Sequence, residues 1–107
     1  MRPMTRLLLA LLATTLSTAL AAQTVRGRLW RSTPNGLNPA SALAVTLYSP
    51  QRGRSSPAYS TSEGYYYLYN VPPGRYILEI WTGRAPTTTE IMVGMQPFTD
   101  IPATTLR

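Results

Sequence analysis

The chain contains no cysteine, no histidine and no lysine. Without cysteine it lacks the disulfides that usually stabilise small exported domains, so packing alone must hold its fold. Without histidine or cysteine it cannot build a Ser-His-Asp triad, a thiol nucleophile or a zinc site of the common type. The absence of lysine also excludes a lysine base and a Schiff base. We therefore expect a protein that is not an enzyme, with no catalytic residues, no cofactor and no metal.

Acidic residues are also scarce. The four carboxylates, Glu63, Glu79, Glu90 and Asp100, fall on different predicted elements. A glycosidase-like pair would need two of them to converge in a cleft. Glu79 is predicted on the outward face of its strand, and we expect all four to be solvated surface charges. All ten basic residues are arginine, and the net charge is +6.

The N-terminal segment has the pattern of a secretory signal peptide. Two arginines precede an apolar stretch from Leu7 to Leu20, and Ala19-Leu20-Ala21 supplies the small residues that a signal peptidase needs. The stretch is too short for a membrane span, which needs about 20 residues. We predict a cleaved signal peptide over residues 1–22 and one domain over 23–107, secreted or periplasmic, with no membrane span. The alternative is an uncleaved anchoring helix.

The rest of the chain reads as short β-strands. Apolar and polar residues alternate with a period of two, and turns rich in glycine and proline separate the runs. Ser49 to Pro57 has no apolar residue except proline and is predicted to be a mobile loop. Six or seven strands in one small domain, with no helical period, predict an antiparallel β-sandwich. The predicted strands lie within Thr24–Trp30, Leu43–Ser49, Ala58–Thr61, a run ending at Asn70, Arg75–Trp81, Thr87–Val93 and Phe98–Leu106.

The most informative stretch, EGYYYLYNVPPGRYILEIW, starts at Glu63 and ends at Trp81. A Val-Pro-Pro-Gly turn separates its two strands, and period-two alternation assigns the faces. The residues predicted to face inward are Tyr66, Leu68, Tyr76, Leu78 and Ile80. Those predicted to face outward are Tyr65, Tyr67, Tyr69, Ile77 and Trp81. Tyr76 is expected to be mostly buried, with a hydrogen-bond partner for its hydroxyl at the sandwich edge.

Several motifs resemble one known family. Gly27, the strand Ala44–Leu47, the run Gly64–Leu68 and the block Asn70–Tyr76 follow one another in the order found in carboxypeptidase regulatory-like domains. These are transthyretin-like (prealbumin-like) sandwiches, and collagen-adhesin B-type repeats are similar. The resemblance covers roughly Thr24 to Val93 and implies a structural or ligand-presenting module without a catalytic site.

Two features depart from this family pattern. Glu63-Gly64 stands where the family usually has Asp or Asn with Gly before the aromatic strand. Collagen-adhesin B-type repeats often form Lys–Asn isopeptide links, which a chain without lysine cannot make.

The outward aromatic residues are the candidate site. If the two strands lie in one sheet, Tyr65, Tyr67, Tyr69 and Trp81, with Ile77, form an apolar patch. Such patches on small soluble proteins usually mark an interaction surface, here suited to a carbohydrate or to an envelope or secreted protein. The alternative is that a loop, or the edge from Phe98 to Leu106, covers the stripe and makes it secondary core.

A different class of function is binding to single-stranded nucleic acid or another polyanion. Arg26, Arg28 and Arg31 decorate the first strand, and Arg52 and Arg54 lie in the predicted loop. Arginines interleaved with aromatic rings on a β surface hold single-stranded nucleic acids, for example in OB-like barrels. We expect instead that these arginines keep an exported domain soluble, because the signal peptide removes the protein from intracellular nucleic acid.

Overall fold

The structure is a computed structural model that describes residues 23–107; the predicted signal peptide, residues 1–22, lies outside this range. The described part of the chain is all-β and contains no helix, and therefore none that could cross a membrane. Two sheets form a sandwich, which confirms the predicted fold class. The strands are β1 (Gln23–Thr33), β2 (Gly36–Pro39), β3 (Ala44–Ser49), β4 (Gly53–Arg54), β5 (Ala58–Tyr59), β6 (Tyr65–Val71), β7 (Gly74–Trp81), β8 (Pro86–Val93), β9 (Phe98–Asp100) and β10 (Thr104–Leu106).

The first sheet is built around β1, which is long enough to pair with four other strands. It runs antiparallel to β6 and β2 and parallel to β9 and β10. The parallel pairs depart from the predicted antiparallel sandwich. The predicted edge strand Phe98–Leu106 is split into β9 and β10, and Pro102 lies in the break, where it has no backbone N–H to donate.

The second sheet has the order β4-β3-β7-β8, with β5 also paired to β3, and all its pairs are antiparallel. The predicted loop Ser49–Pro57 forms a hairpin on β3 instead. Ser55 N donates to Leu47 O at 2.8 Å, and Leu47 N donates to Ser55 Oγ at 2.9 Å. Short strands of this kind raise the number of strands above the predicted six or seven, because turn segments also pair.

The core lies between the two sheets and follows the predicted faces. Tyr66 and Leu68 of β6 are buried, as is the run of alternate residues from Tyr76 to Ile80 on β7. Alternation fixes this arrangement because successive side chains of a strand point to opposite faces. The buried apolar residues of the core are Val25, Leu29, Ala40, Val45, Leu47, Tyr66, Leu68, Val71, Tyr76, Leu78, Ile80, Val93 and Leu106.

The Val-Pro-Pro-Gly segment carries the chain from the first sheet to the second. Asn70 has a φ of 58° and Gly74 a φ of 152°, two values that glycine and asparagine adopt more easily than other residues. Tyr76 is buried and its hydroxyl donates to Pro72 O at 2.7 Å, which confirms the expected role of this ring. The turn therefore places β6 and β7 in different sheets.

Gly27 makes room for the most deeply buried ring of the core, that of Tyr66. It pairs with Tyr66 across β1 and β6, and a Cβ at position 27 would overlap the Tyr66 ring. The ring thus lies against bare backbone. This close approach explains why the alternating strand has glycine, rather than a larger apolar residue, at this inward position.

Candidate functional site

Three tyrosines of β6 form an outward row. Tyr65 is 37% exposed, Tyr67 39% and Tyr69 67%, whereas the intervening Tyr66 and Leu68 are buried. The rings of Tyr67 and Tyr69 stack with centroids 6.2 Å apart and an angle of 11° between their planes. β9 pairs with β1 on the side away from β6, and all three rings stay more than a third exposed beside it. The tyrosine row is therefore an open surface of the described domain.

Trp81 and Ile77 do not join this row. β7 pairs with β3 and β8 in the second sheet, whereas β6 pairs with β1 in the first. The outward faces of β6 and β7 therefore lie on opposite sides of the sandwich. The single patch predicted from Tyr65, Tyr67, Tyr69 and Trp81 is wrong in this respect, because its condition, that both strands share one sheet, is not met.

Arginines of β1 take the place beside the tyrosines. Arg28 pairs in register with Tyr65, and its guanidinium carbon lies 4.5 Å from the Tyr65 ring centroid and 4.2 Å from that of Trp30. Its Nε donates to Glu63 O at 2.9 Å. Contacts of a guanidinium with aromatic faces are attractive through the ring quadrupole. Two rings and one carbonyl thus hold the Arg28 side chain in place.

Arg26 has a different environment, because it pairs with a carboxylate. Across β1 it lies between Tyr67 of β6 and Asp100 of β9, and its Nε donates to Asp100 Oδ1. Its guanidinium carbon also lies 4.0 Å from the Phe98 ring centroid. The hydrogen bond with Asp100 raises the pKa of Arg26, and the same bond lowers the pKa of Asp100. The charge of Arg26 is therefore largely balanced within the protein.

These side chains surround a hollow of about 360 Å³ on the outer face of the first sheet. This volume falls within the usual range of small-molecule sites. We call this cavity the outer hollow. It is lined by Arg26, Gly27, Arg28, Tyr65, Tyr67, Asp100, Ile101 and Ala103.

A second groove, of about 400 Å³, lies between the end of β6 and the hairpin of β4. Its deep wall consists of core residues, among them Leu47, Leu68 and Val71. Arg52 is its one charged lining residue. Tyr67, Tyr69 and Tyr76 also line this second groove. The outer hollow differs in having two guanidinium groups and a carboxylate beside its rings, and it is therefore the better candidate for a charged ligand.

Trp81 belongs to a polar cluster on the outside of the second sheet. Its Nε1 donates to Thr46 Oγ1 at 2.9 Å, and that hydroxyl donates to Glu79 Oε1 at 2.7 Å. Arg54 donates to both oxygens of Glu79, at 2.8 and 3.0 Å. Glu79 is only 6% exposed, so the prediction of a solvated surface charge is wrong for this residue. The cluster has the features of a structural clasp that attaches the β4 hairpin to the sheet.

Because this clasp depends on an ionised Glu79, we expect it to lose its stabilising effect in acid. The hydrogen bond from Arg54 lowers the pKa of Glu79 below its ordinary value of 4.5. A group with a lowered folded pKa stabilises above its unfolded pKa, and that stabilisation is lost as the pH falls through the folded pKa. We expect Glu79→Gln to be less stable than the unmodified protein at pH 7, and this difference to shrink toward pH 3. Urea denaturation at the two pH values measures it.

The exposed pair of Arg26 with Asp100 provides the control. Asp100→Asn should change stability little at either pH, because solvent screens an exposed ion pair and its two side chains lose entropy on pairing. A Glu79→Gln difference that stays constant from pH 7 to pH 3 would contradict the assignment of the clasp.

Among residues 23–107 no three metal-ligating side chains are clustered, and three of the four carboxylates pair with arginine instead of with one another. The outer hollow contains one carboxylate, that of Asp100, and no second one. The residues that line it provide aromatic rings, hydrogen-bonding groups and charge.

Comparison with known proteins supports the fold and nothing narrower. The sequence matches no protein-family model and no curated protein. A Pseudomonas aeruginosa protein proposed to bind carbohydrate is similar, with a TM-score of 0.60 and 12% identity over 80% of this chain and 90% of that one. The minor pilin of Streptococcus agalactiae has a TM-score of 0.59 and 11% identity, over 83% of this chain and 46% of the pilin. The major pilin subunit of Bacillus cereus has a TM-score of 0.56 and 12% identity, over 78% and 29%.

At such low identity these similarities show the fold alone. They are consistent with the prealbumin-like β-sandwich predicted from the sequence. The narrower resemblance to carboxypeptidase regulatory-like domains stays a prediction. The chain spans less than half the length of either pilin.

Proposed function

We propose that residues 23–107 form a non-catalytic module that binds a carbohydrate on the outer face of the first sheet. The observation that carries this proposal is the open row of Tyr65, Tyr67 and Tyr69 beside the outer hollow. Flat aromatic rings fit the apolar faces of sugar rings, and a few polar groups nearby can fix the orientation of a ligand. Trp81 is not part of this proposed site.

The structural similarities also favour carbohydrate binding. The Pseudomonas aeruginosa protein proposed to bind carbohydrate shares the fold over most of both chains. The pilins share it too, and for this reason a protein partner on the same surface is the alternative occupant. The proposal includes a signal peptide over residues 1–22, a secreted or periplasmic location and membership of the carboxypeptidase regulatory-like group.

Two matched tyrosine variants test the site. Tyr67 lines the outer hollow, whereas Tyr59 of β5 is 63% exposed and lies outside it. We expect Tyr67→Ala to weaken polysaccharide binding about tenfold, as loss of a central aromatic contact does, and Tyr59→Ala to leave it unchanged. Affinity electrophoresis in gels containing dextran, xylan, alginate or polygalacturonate measures both. Equal binding by the two variants, or no binding to any polysaccharide, would exclude this function.

A further inference from the structure

The charges of the outer hollow do not balance. Arg26 and Arg28 contribute two guanidinium groups, and Asp100 contributes the one carboxylate. Asp100 pairs with Arg26. Arg28 forms no ion pair within residues 23–107, and its terminal nitrogens make no hydrogen bond there. One positive charge in the hollow is therefore left for a ligand.

The geometry of Arg28 suits it to receive an anion. Its Nε bond to Glu63 O and its contacts with Trp30 and Tyr65 restrict the side chain while its terminal N–H groups stay unused. A guanidinium held in this way loses little rotamer freedom on binding. Its planar pair of donors matches the two oxygens of a carboxylate.

We propose that the outer hollow binds acidic carbohydrate, with Arg28 pairing with the carboxylate of a uronic acid unit while Tyr67 contacts the sugar ring. This inference rests on the proposed function and adds the ligand class. A single-stranded nucleic acid fits less well, because binding of successive phosphates needs a line of free cations. Of the two arginines that line the hollow, only Arg28 is unpaired within residues 23–107, because Arg26 is paired with Asp100.

The test compares two sugar chains that differ only at the carboxyl group. Polygalacturonate has a free carboxylate on each unit, and its fully methyl-esterified form has the same chain without that charge. We expect the protein to bind polygalacturonate at least about tenfold more tightly than the ester, as expected for a charge-assisted hydrogen bond. Arg28→Gln should remove this preference. Dextran and oligo(dT) serve as the neutral and nucleic-acid probes, and isothermal titration calorimetry at fixed salt measures all four.

Arg84→Gln is the matched control, because Arg84 is exposed in the turn after β7 and lies outside the hollow. It removes the same charge and should leave the preference intact. Equal losses in the two variants would indicate non-specific attraction and overturn the proposal. Tighter binding of oligo(dT) that depends on Arg28 would replace it with nucleic-acid recognition.

The failure of this inference can be told apart from that of the proposed function. Binding of the ester or dextran that depends on Tyr67, without a preference for the acid, would remove the role of Arg28 and keep carbohydrate binding. The absence of binding to every sugar chain would remove both.

Discussion

Tyr66→Ala is expected to lower the free energy of unfolding by about 3–5 kcal/mol, the usual cost of truncating a large buried ring. Tyr66 is 1% exposed and fills the space above Gly27. Small domains have only about 5–15 kcal/mol of stability in total, so this variant should be close to unfolding. Tyr67→Ala removes an equal ring from the opposite face of β6 and should cost less than half as much. Thermal and urea denaturation compare the two.

Tyr66→Phe separates the ring from its hydroxyl. The Tyr66 oxygen is buried and has no hydrogen-bond partner among the described residues, and burial raises the pKa of Tyr66 to about 12. Removing an unsatisfied hydroxyl costs little, so Tyr66→Phe should be as stable as the unmodified protein or slightly more stable. If Tyr67→Ala unfolds at a lower temperature than Tyr66→Ala, the two faces of β6 are inverted.

Gly64→Ala should also destabilise the fold strongly, by about 3 kcal/mol. Gly64 has a φ of +88°, and its Cβ would overlap the carbonyl oxygen of Leu29. That carbonyl accepts a hydrogen bond from Ala40 N, and Leu29 N donates to Gly64 O at 2.8 Å. The backbone cannot move aside without loss of these bonds. Backbone strain of about 1–3 kcal/mol and a lost hydrogen bond of about 1 kcal/mol therefore add up. Urea denaturation measures the change.

Two other glycines separate the cost of backbone strain from the cost of the overlap with the Leu29 carbonyl. Gly53 has a φ of +76° but open space around it, so Gly53→Ala should show the backbone strain alone, about 1 kcal/mol. Gly83 lies in open space without a left-handed φ, and Gly83→Ala should be close to neutral. Equal losses for Gly64→Ala and Gly53→Ala would show that the Leu29 carbonyl plays no part.

Local pattern was enough to predict the longer strands and the two faces of β6 and β7, but not the short strands β2 and β4. In β6 and β7 the inward residues were identified correctly, because alternation depends only on the pleat of a single strand. The use of turn residues in Val71–Gly74 also marked a change of direction.

Sheet membership could not be predicted in this way. Whether β6 and β7 form a hairpin or belong to separate sheets depends on pairing with β1 and β3, which are distant in the sequence. Pro72 and Pro73 are compatible with a hairpin and equally with a crossover between the two sheets. The misplaced Trp81 follows from this ambiguity, since its outward direction was correct and the side of the sandwich was wrong.

The charged neighbours of the candidate site were also hidden in the sequence. Asp100 and Phe98 meet Arg26 only because β9 runs parallel to β1. Glu79 is buried because Arg54, 25 positions earlier, folds over it from the β4 hairpin. Arg26, Arg28 and Trp30 occupy alternate positions of β1, which was a signal that one face of this strand mixes cations and rings. It could not show which arginine would remain unpaired.

The position of β1 has a consequence for the order of folding. Its residue Thr24 pairs with Phe98, more than 70 positions away, and Leu29 pairs with Thr104. The first sheet thus joins the two ends of the described chain. Domains rich in such distant contacts fold in milliseconds to seconds, because long loops must close before the contacts form. During synthesis β1 keeps an unpaired side until the last strand has emerged, and in this interval the chain is open to pairing with other chains.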